Sequence, residues 1–160
     1  MGRPVTDAAT SARLSKQRRR DTKPEVALRR ELHRLGLRYF VDRAPLKGMR
    51  RRADIVFPRR KVAVYVDGCF WHSCPVHATK PRNNAQWWAD KLAANVARDR
   101  DTDDRLRTEG WTVVRIWEHE PVSDAAALVL HALESSPSSG ANVAVGACGC
   151  PKANVGAGTG

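Results

Sequence analysis

Apolar residues recur along this chain with two different periods. In RDTKPEVALRRELHRLG, residues 20–36, Leu28, Leu32 and Leu35 fall at i, i+4 and i+7, one stripe of a helix. Thr22 reads as its N-cap, Pro24 lies in the first turn, and Glu25 follows Thr22 by three residues, the pattern of a capping box. Gly36 supplies the stop. LRYFVD (37–42) then reads as a short strand and APLKGMRRR (44–52) as a basic loop. ADIVFP (53–58) and KVAVYV (61–66) are β-branched runs on either side of Pro58-Arg59-Arg60, which predicts a hairpin. The second run is apolar at both odd and even positions, as expected of a central strand covered on both faces.

Helical spacing returns over residues 83–110, with Asn83 or Asn84 as cap, Gly110 as stop, and Trp88, Leu92, Val96 and Leu106 available to a core. TVVRIW (112–117) predicts another strand, and residues 121–136 a last helix. The order α-β-β-β-α-β-α predicts an α/β fold, a mixed sheet flanked by helices, in one domain spanning 21–136. No internal repeat is evident. Residues 1–20 have no such periodicity and read as a flexible basic arm, and residues 137–160, rich in Gly, Ser and Ala, as a disordered tail.

Charge adds a direction to this picture. Net charge is +11, and residues 1–61 hold 19 of the 28 Lys and Arg against 6 acids, so the positive field is concentrated in the first part of the chain. A field of that kind suits a polyanion, because each neutralised phosphate releases counterions; a solvated, solubilising face is the competing reading. No run approaches the roughly 18 apolar residues of a membrane span. MGRPVTDAATSARL has no apolar stretch of a secretory signal. A reducing cytoplasm is therefore the expected compartment, where cysteines bind metal or stay free more often than they pair.

Three groups of residues carry candidate chemistry. Asp54 interrupts an apolar strand, where a carboxylate is costly unless paired or metal-bound. It is either a strand-end acid bonded to the arginines at 50–52 or, with Asp67 at the end of the next strand, part of an oxygen site suited to Mg²⁺. Cys69, Cys74 and His77 have C-x4-C-x2-H spacing, and His119 after the last strand is the natural fourth ligand of a closed, structural zinc site. Reduced, buried cysteines beside surface histidines are the alternative. Cys148 and Cys150 in the tail read as incidental, with replacement ligation as their competing role. Between the cysteines, His72 is either a general acid or base or a structural imidazole. Phe70 and Trp71 are either core or a wedge between stacked bases.

Together these residues resemble the very-short-patch repair (Vsr) mismatch endonuclease family. The matching stretches are DTKPE (21–25), RRADIVF (51–57), VYVDGCFWHSCPVH (64–77), QWWADKLAANVARDR (86–100) and LRTEGWTVVRIWE (106–118), and the resemblance covers residues 12 to 134. It implies a restriction-endonuclease-like fold with a structural zinc, and Mg²⁺-dependent nicking of duplex DNA on the 5′ side of the thymine in a T·G mismatch left by deamination of 5-methylcytosine. It places metal binding at Asp54 and the main-chain carbonyl of Val66, an acid near the metal at Glu25, the catalytic histidine at His72, and zinc ligation at Cys69, Cys74, His77 and His119. Phe70 and Trp71 become the wedge, and Leu14 matches a methionine that enters from the other groove. Asp67 stands where the best-known member has histidine, which makes it a candidate ligand of the catalytic metal, and His119 stands where cysteine is usual. The capping box explains Glu25 fully without catalysis, and both roles can hold at once.

On this reading Arg13, Lys16, Arg18, Arg19 and Arg20, with the 43–52 loop, hold phosphates. The implied protein is a monomer of the bacterial cytoplasm, associated with the nucleoid, whose partners are mismatched duplex DNA and mismatch-repair proteins. Two rivals stand beside it: a nuclease of the same fold with another target, and a zinc-stabilised DNA-binding module without catalysis.

Overall fold

The computed structural model describes residues 20–77 and 84–136. Arg13, Leu14, Lys16, Arg18, Arg19, Asn83, Cys148 and Cys150 lie outside the described residues, as do the arm before Arg20 and the tail from residue 137. The elements are α1 (Lys23–Arg34), β1 (Phe40–Arg43), β2 (Ala53–Phe57), β3 (Val62–Asp67), α2 (Ala85–Thr108), β4 (Thr112–Trp117) and α3 (Val122–Ser135), with a single 3₁₀ turn at Pro58–Arg60. They follow the order read from the sequence. The four strands form one sheet in the order β1-β2-β3-β4. β2 runs antiparallel to both β1 and β3, whereas β3 and β4 are parallel, a pairing that needs the crossover α2 provides.

Local chemistry explains the element ends. Gly36, at φ 81°, and Gly110, at φ 75°, adopt the left-handed conformation past the ends of α1 and α2. At each, the next residue's N–H reaches back five residues: Leu37 to the Leu32 carbonyl (3.0 Å) and Trp111 to the Leu106 carbonyl (2.9 Å), the six-to-one bond of a Schellman cap. The β2–β3 hairpin turns through Pro58–Arg60, where proline presets φ, and closes on Lys61 at φ 50°. At the start of α1 the capping box is only half formed. Glu25 reaches back to the Asp21 N–H (2.9 Å) and accepts from the Thr22 hydroxyl (2.9 Å), but Thr22 makes no side-chain cap bond of its own.

The sheet divides the molecule into two faces. On one, Leu28 and Leu32 of α1 and Ala125, Ala126, Val129, Ala132 and Leu133 of α3 pack on Ile55, Phe57, Val62, Val64, Val114 and Ile116. On the other, Val56, Ala63, Tyr65 and Val113 meet Met49, Leu106 and Trp111. β3 is central and buried along almost its whole length, as its two-sided apolar pattern required.

Three apolar positions behave differently from the periodic reading. Leu35 is 39% exposed, because α1 has already ended and its residue is the C-cap. Leu92 and Val96 are only half-buried. The buried residues of α2 are instead Trp88, Asn95, Thr102 and Leu106, so its inward stripe is polar in the middle. The first strand is also shorter than expected, starting at Phe40, while Leu37 packs against the α1/α3 core.

Candidate active site and cysteine–histidine cluster

Strand register decides which polar side chains meet. Ile55 pairs with Val64 and Val56 with Ala63, so Asp54 lies beyond Ile55 on the same face as Val56, Ala63 and Tyr65. Tyr65 is opposite Arg115 and Asp67 opposite Trp117 across the parallel pair, which adds Asp67 and Arg115 to that face. Asp54, Tyr65, Asp67 and Arg115 therefore share the side of the sheet that α2 covers. Asp99 and Asp103 of the helix meet Arg115 there, whereas the buried Asn95 and Thr102 bond the Trp71 carbonyl and Arg51.

Asp54 is half-buried, and its Oδ2 accepts the Val66 N–H at 2.7 Å. Burial drives its carboxyl up from its ordinary range to about 7. The Val66 N–H works against that rise, while the carboxylates of Glu25 and Asp67 reinforce it and Arg115 opposes it. The neighbouring arginines do not supply a counter-charge. Arg51 Nη1 donates to Asp101 Oδ2 (2.5 Å), to the Thr102 hydroxyl and to the Arg98 carbonyl, and Arg52 turns to Asp42. Pairing of Asp54 with Arg51 or Arg52, the bland reading of an acid in this strand, is therefore not what the structure shows. A desolvated carboxylate beside two more acids, with a main-chain segment at hydrogen-bond distance, fits a hard divalent cation.

Asp67 is 2% exposed and faces Arg115, whose Nη1 donates to Oδ1 (2.9 Å) and Oδ2 (3.2 Å). His72 Nδ1 lies 2.6 Å from Asp99 Oδ2 and 3.6 Å from Asp67 Oδ1. Asp67, His72 and Asp99 thus form one group of donor atoms, all within 4.8 Å of one another, and Asp54 is not a member of it. Because a carboxylate accepts, Nδ1 of His72 is the donor in the short bond, which leaves the lone pair of a neutral ring on Nε2. Glu25 is buried, held by Thr22 and the Asp21 N–H, and near enough to raise Asp54.

Phe70 and Trp71 are half-buried and lean edge-on together, 5.1 Å between ring centroids. Both rest on the buried Trp88 of α2, at 5.3 and 6.0 Å. The Asn95 amide donates to the Trp71 carbonyl at 3.2 Å, pinning the segment from behind. Arg20, the last arm residue, is exposed and pairs with Asp42 at 3.0 Å.

Cys69, Cys74, His77 and His119 bring all four donor atoms within 4.8 Å of one another. Cys69 Sγ is 3.0 Å from His119 Nδ1, and Cys74 Sγ is 3.9 Å from His77 Nδ1. The turn is closed by the Cys74 N–H on the Cys69 carbonyl (2.9 Å), and Trp117 stacks on the His119 ring. Burial pushes the Cys69 thiol up to about 12, with Cys74 and Glu118 adding to it, and burial followed by His77 lowers His119. His119 Nε2 is buried with no hydrogen-bond partner among the described residues. Two thiols and two imidazoles with their donor atoms this close together are a set that fits tetrahedral zinc.

Sequence reasoning overlooked Asp99, Asp103 and Arg115. Arg115 interrupts TVVRIW just as Asp54 interrupts ADIVF, and the same rule about charges in apolar strands marks it. Asp99 and Asp103 are four apart on α2 and so share a helix face, but among so many exposed charges only the fold singles them out.

The family model for DNA mismatch endonuclease Vsr matches residues 4–77. The chain is 48% identical over 134 residues to the type II nicking enzyme V.NaeI of Lentzea aerocolonigenes, covering 80% of each chain. It is 39% identical over 127 residues to the type II nicking enzyme V.XorIIP of Xanthomonas oryzae pv. oryzae, covering 72% of this chain and 90% of that one. The chain belongs to the Vsr family. It is also 36% identical over 100 residues to the DNA mismatch endonuclease Vsr of Escherichia coli, covering 62% of each. The Vsr match takes in Glu25, Asp54, Val66, Asp67, His72, Cys69, Cys74 and His77, while Asp99, Arg115 and His119 lie beyond it. The mixed four-stranded sheet flanked by helices fits the restriction-endonuclease-like architecture expected of a Vsr endonuclease. No helix among the described residues is long and apolar enough to cross a membrane.

Proposed function

We propose that this chain nicks duplex DNA on the 5′ side of the thymine in a T·G mismatch, the first step of a very-short-patch repair of deaminated 5-methylcytosine. The observation that carries the reading is a desolvated acid at Asp54 on the sheet face that also bears Asp67, with the imidazole of His72 held against Asp99 and 3.6 Å from Asp67. Relatives named nicking enzymes support scission of one strand.

Asp54 and the Val66 carbonyl would hold Mg²⁺, with Glu25 close by. The ion would supply Lewis-acid stabilisation of the charge that develops on the phosphate. His72 takes the proton of the attacking water on Nε2 as the water oxygen bonds to phosphorus and the bond from phosphorus to the 3′ oxygen breaks, that oxygen leaving as a hydroxyl with a proton from solvent. Asp99 holds the ring in the tautomer that makes Nε2 the base. Asp67, whose two oxygens already meet a guanidinium, acts on the imidazole side of the site rather than as a ligand of the ion. Cys69, Cys74, His77 and His119 would hold zinc, which would fix the loop between β3 and α2. That loop presents Phe70 and Trp71 to the base stack, where a T·G step costs less to open than a paired one. Leu14 enters from the opposite groove, and Arg13, Lys16, Arg18, Arg19 and Arg20 with the 43–52 loop hold phosphates.

The test is a nicking assay with Mg²⁺ on duplexes that differ only in a central T·G or T·A pair. Cutting of the T·G duplex alone, 5′ of the thymine and abolished by chelation of Mg²⁺, is expected. Equal cutting of both duplexes would assign the fold to another target, and salt-sensitive binding without scission would make the chain a binding module.

A further inference from the structure

We propose that Arg115 is a positioning residue for strand scission, one that fixes His72 by clamping both carboxylates facing its ring. The proposal rests on the reading of His72 as the group that handles the proton. Arg115 is in the middle of β4 and is 5% exposed. Its guanidinium lies over the Tyr65 ring, 4.6 Å from the centroid. From there its nitrogens fan out in one plane. Nη1 donates to both oxygens of Asp67 and lies 3.6 Å from Asp99 Oδ1. Nη2 donates to Asp103 Oδ1 (2.8 Å) and to the Asp99 main-chain carbonyl (3.4 Å), and Nε donates to both Asp103 oxygens at 3.0 and 3.1 Å.

Asp67 comes from β3 and Asp99 from α2, and these are the two acids that meet Nδ1 of His72. Two like charges on separate elements repel unless a cation lies between them. Arg115 is that cation. A planar fork can serve three carboxylates at once, which an ammonium point charge cannot. The donor group of Asp67, His72 and Asp99 would by itself pass for a cation site. The guanidinium already occupies that role, so the cluster is a clamp on the imidazole.

The experiment uses the full chain with Arg115→Lys, Arg115→Met, and Arg115→Met combined with Asp67→Asn. The double variant removes Asp67, one of the acids that the loss of Arg115 leaves bare, and circular dichroism with the melting temperature establishes that each variant is folded. Single-turnover nicking of the T·G duplex and its Kd are measured for each, together with the ring-nitrogen NMR signals of His72 at a fixed pH. The expected result is a fall in rate of about 10–100-fold in all three variants, the scale for residues that orient a functional group, with Kd changed by less than about threefold. Lys does not rescue the rate, and the His72 signals lose the single Nδ1-protonated tautomer. A wild-type rate in Arg115→Lys or in the folded double variant, or a loss confined to Kd, overturns the proposal. If the wild-type chain does not nick T·G at all, the functional reading fails, and the His72 signals alone then judge the clamp.

Discussion

The two faces of the sheet are built from the same strands and have opposite chemistry. Toward α1 and α3, β3 and β4 present Val62, Val64, Val114 and Ile116, packed on apolar side chains of both helices. Toward α2 the alternate positions run Ala63, Tyr65, Asp67 on one strand and Val113, Arg115, Trp117 on the other. The first face has nothing to specify beyond shape, so burial alone holds it. The second begins apolar near the hairpin, around Val56, Ala63, Val113 and Leu106, and becomes charged toward the strand ends. Both faces thus supply apolar burial, while the second also bears the desolvated carboxyl of Asp54, which marks it as the candidate functional face.

That division can be broken by substitution on either side. The largest effect belongs to His72→Ala, for which a positioned proton acceptor predicts a fall of about 10²–10⁴ in single-turnover nicking with the melting temperature nearly unchanged. A rate within a factor of a few of wild type would place the chemistry elsewhere. The apolar face should give the mirror image. Leu32→Ala, at a fully buried position, should destabilise by about 2–5 kcal/mol in denaturant unfolding, while the folded fraction nicks at the wild-type rate. Loss of activity per folded molecule would show that the two faces are coupled.

A smaller effect sharpens the comparison. The Asp54 carboxyl is raised from its ordinary 3.8 to about 7. The folded state therefore holds a proton that the unfolded chain has released, and stability falls as pH climbs from near 4 to near 7. Asp54→Asn removes that penalty. It should stabilise the metal-free protein by about 1–2 kcal/mol at pH 8, allowing for partial solvent contact, and by almost nothing at pH 4. A loss of stability at pH 8 would mean that the Val66 N–H, and not desolvation, governs this carboxylate.

Legibility in the sequence followed the same line. The hairpin, the central strand and both glycine stops were readable because period and turn chemistry are local. Asp54 was readable because one charge in ADIVF stands out. Arg115 stands out equally in TVVRIW, but its meaning depends on Asp67, Asp99 and Asp103, which come from two other elements. The long helix was misread at Leu92 and Val96. Asn95 and Thr102 occupy places that a periodic reading reserves for apolar side chains, because they bond the Trp71 carbonyl and Arg51 of the neighbouring loops. The cysteine–histidine spacing was local, and its fourth member, His119, followed from strands ending on one side of the sheet. The aromatic platform under Phe70 and Trp71 is not local: helical spacing marks Trp88 only as a core residue, and the fold sets it beneath the pair.

The most direct test of the claim that the charged face performs the chemistry is single-turnover nicking of a T·G duplex by Asp54→Ala, with Mg²⁺ and enzyme in excess and with DNA binding and melting temperature measured on the same sample. The account predicts a folded protein that still binds the duplex and leaves both strands whole. Scission at the wild-type rate would contradict it.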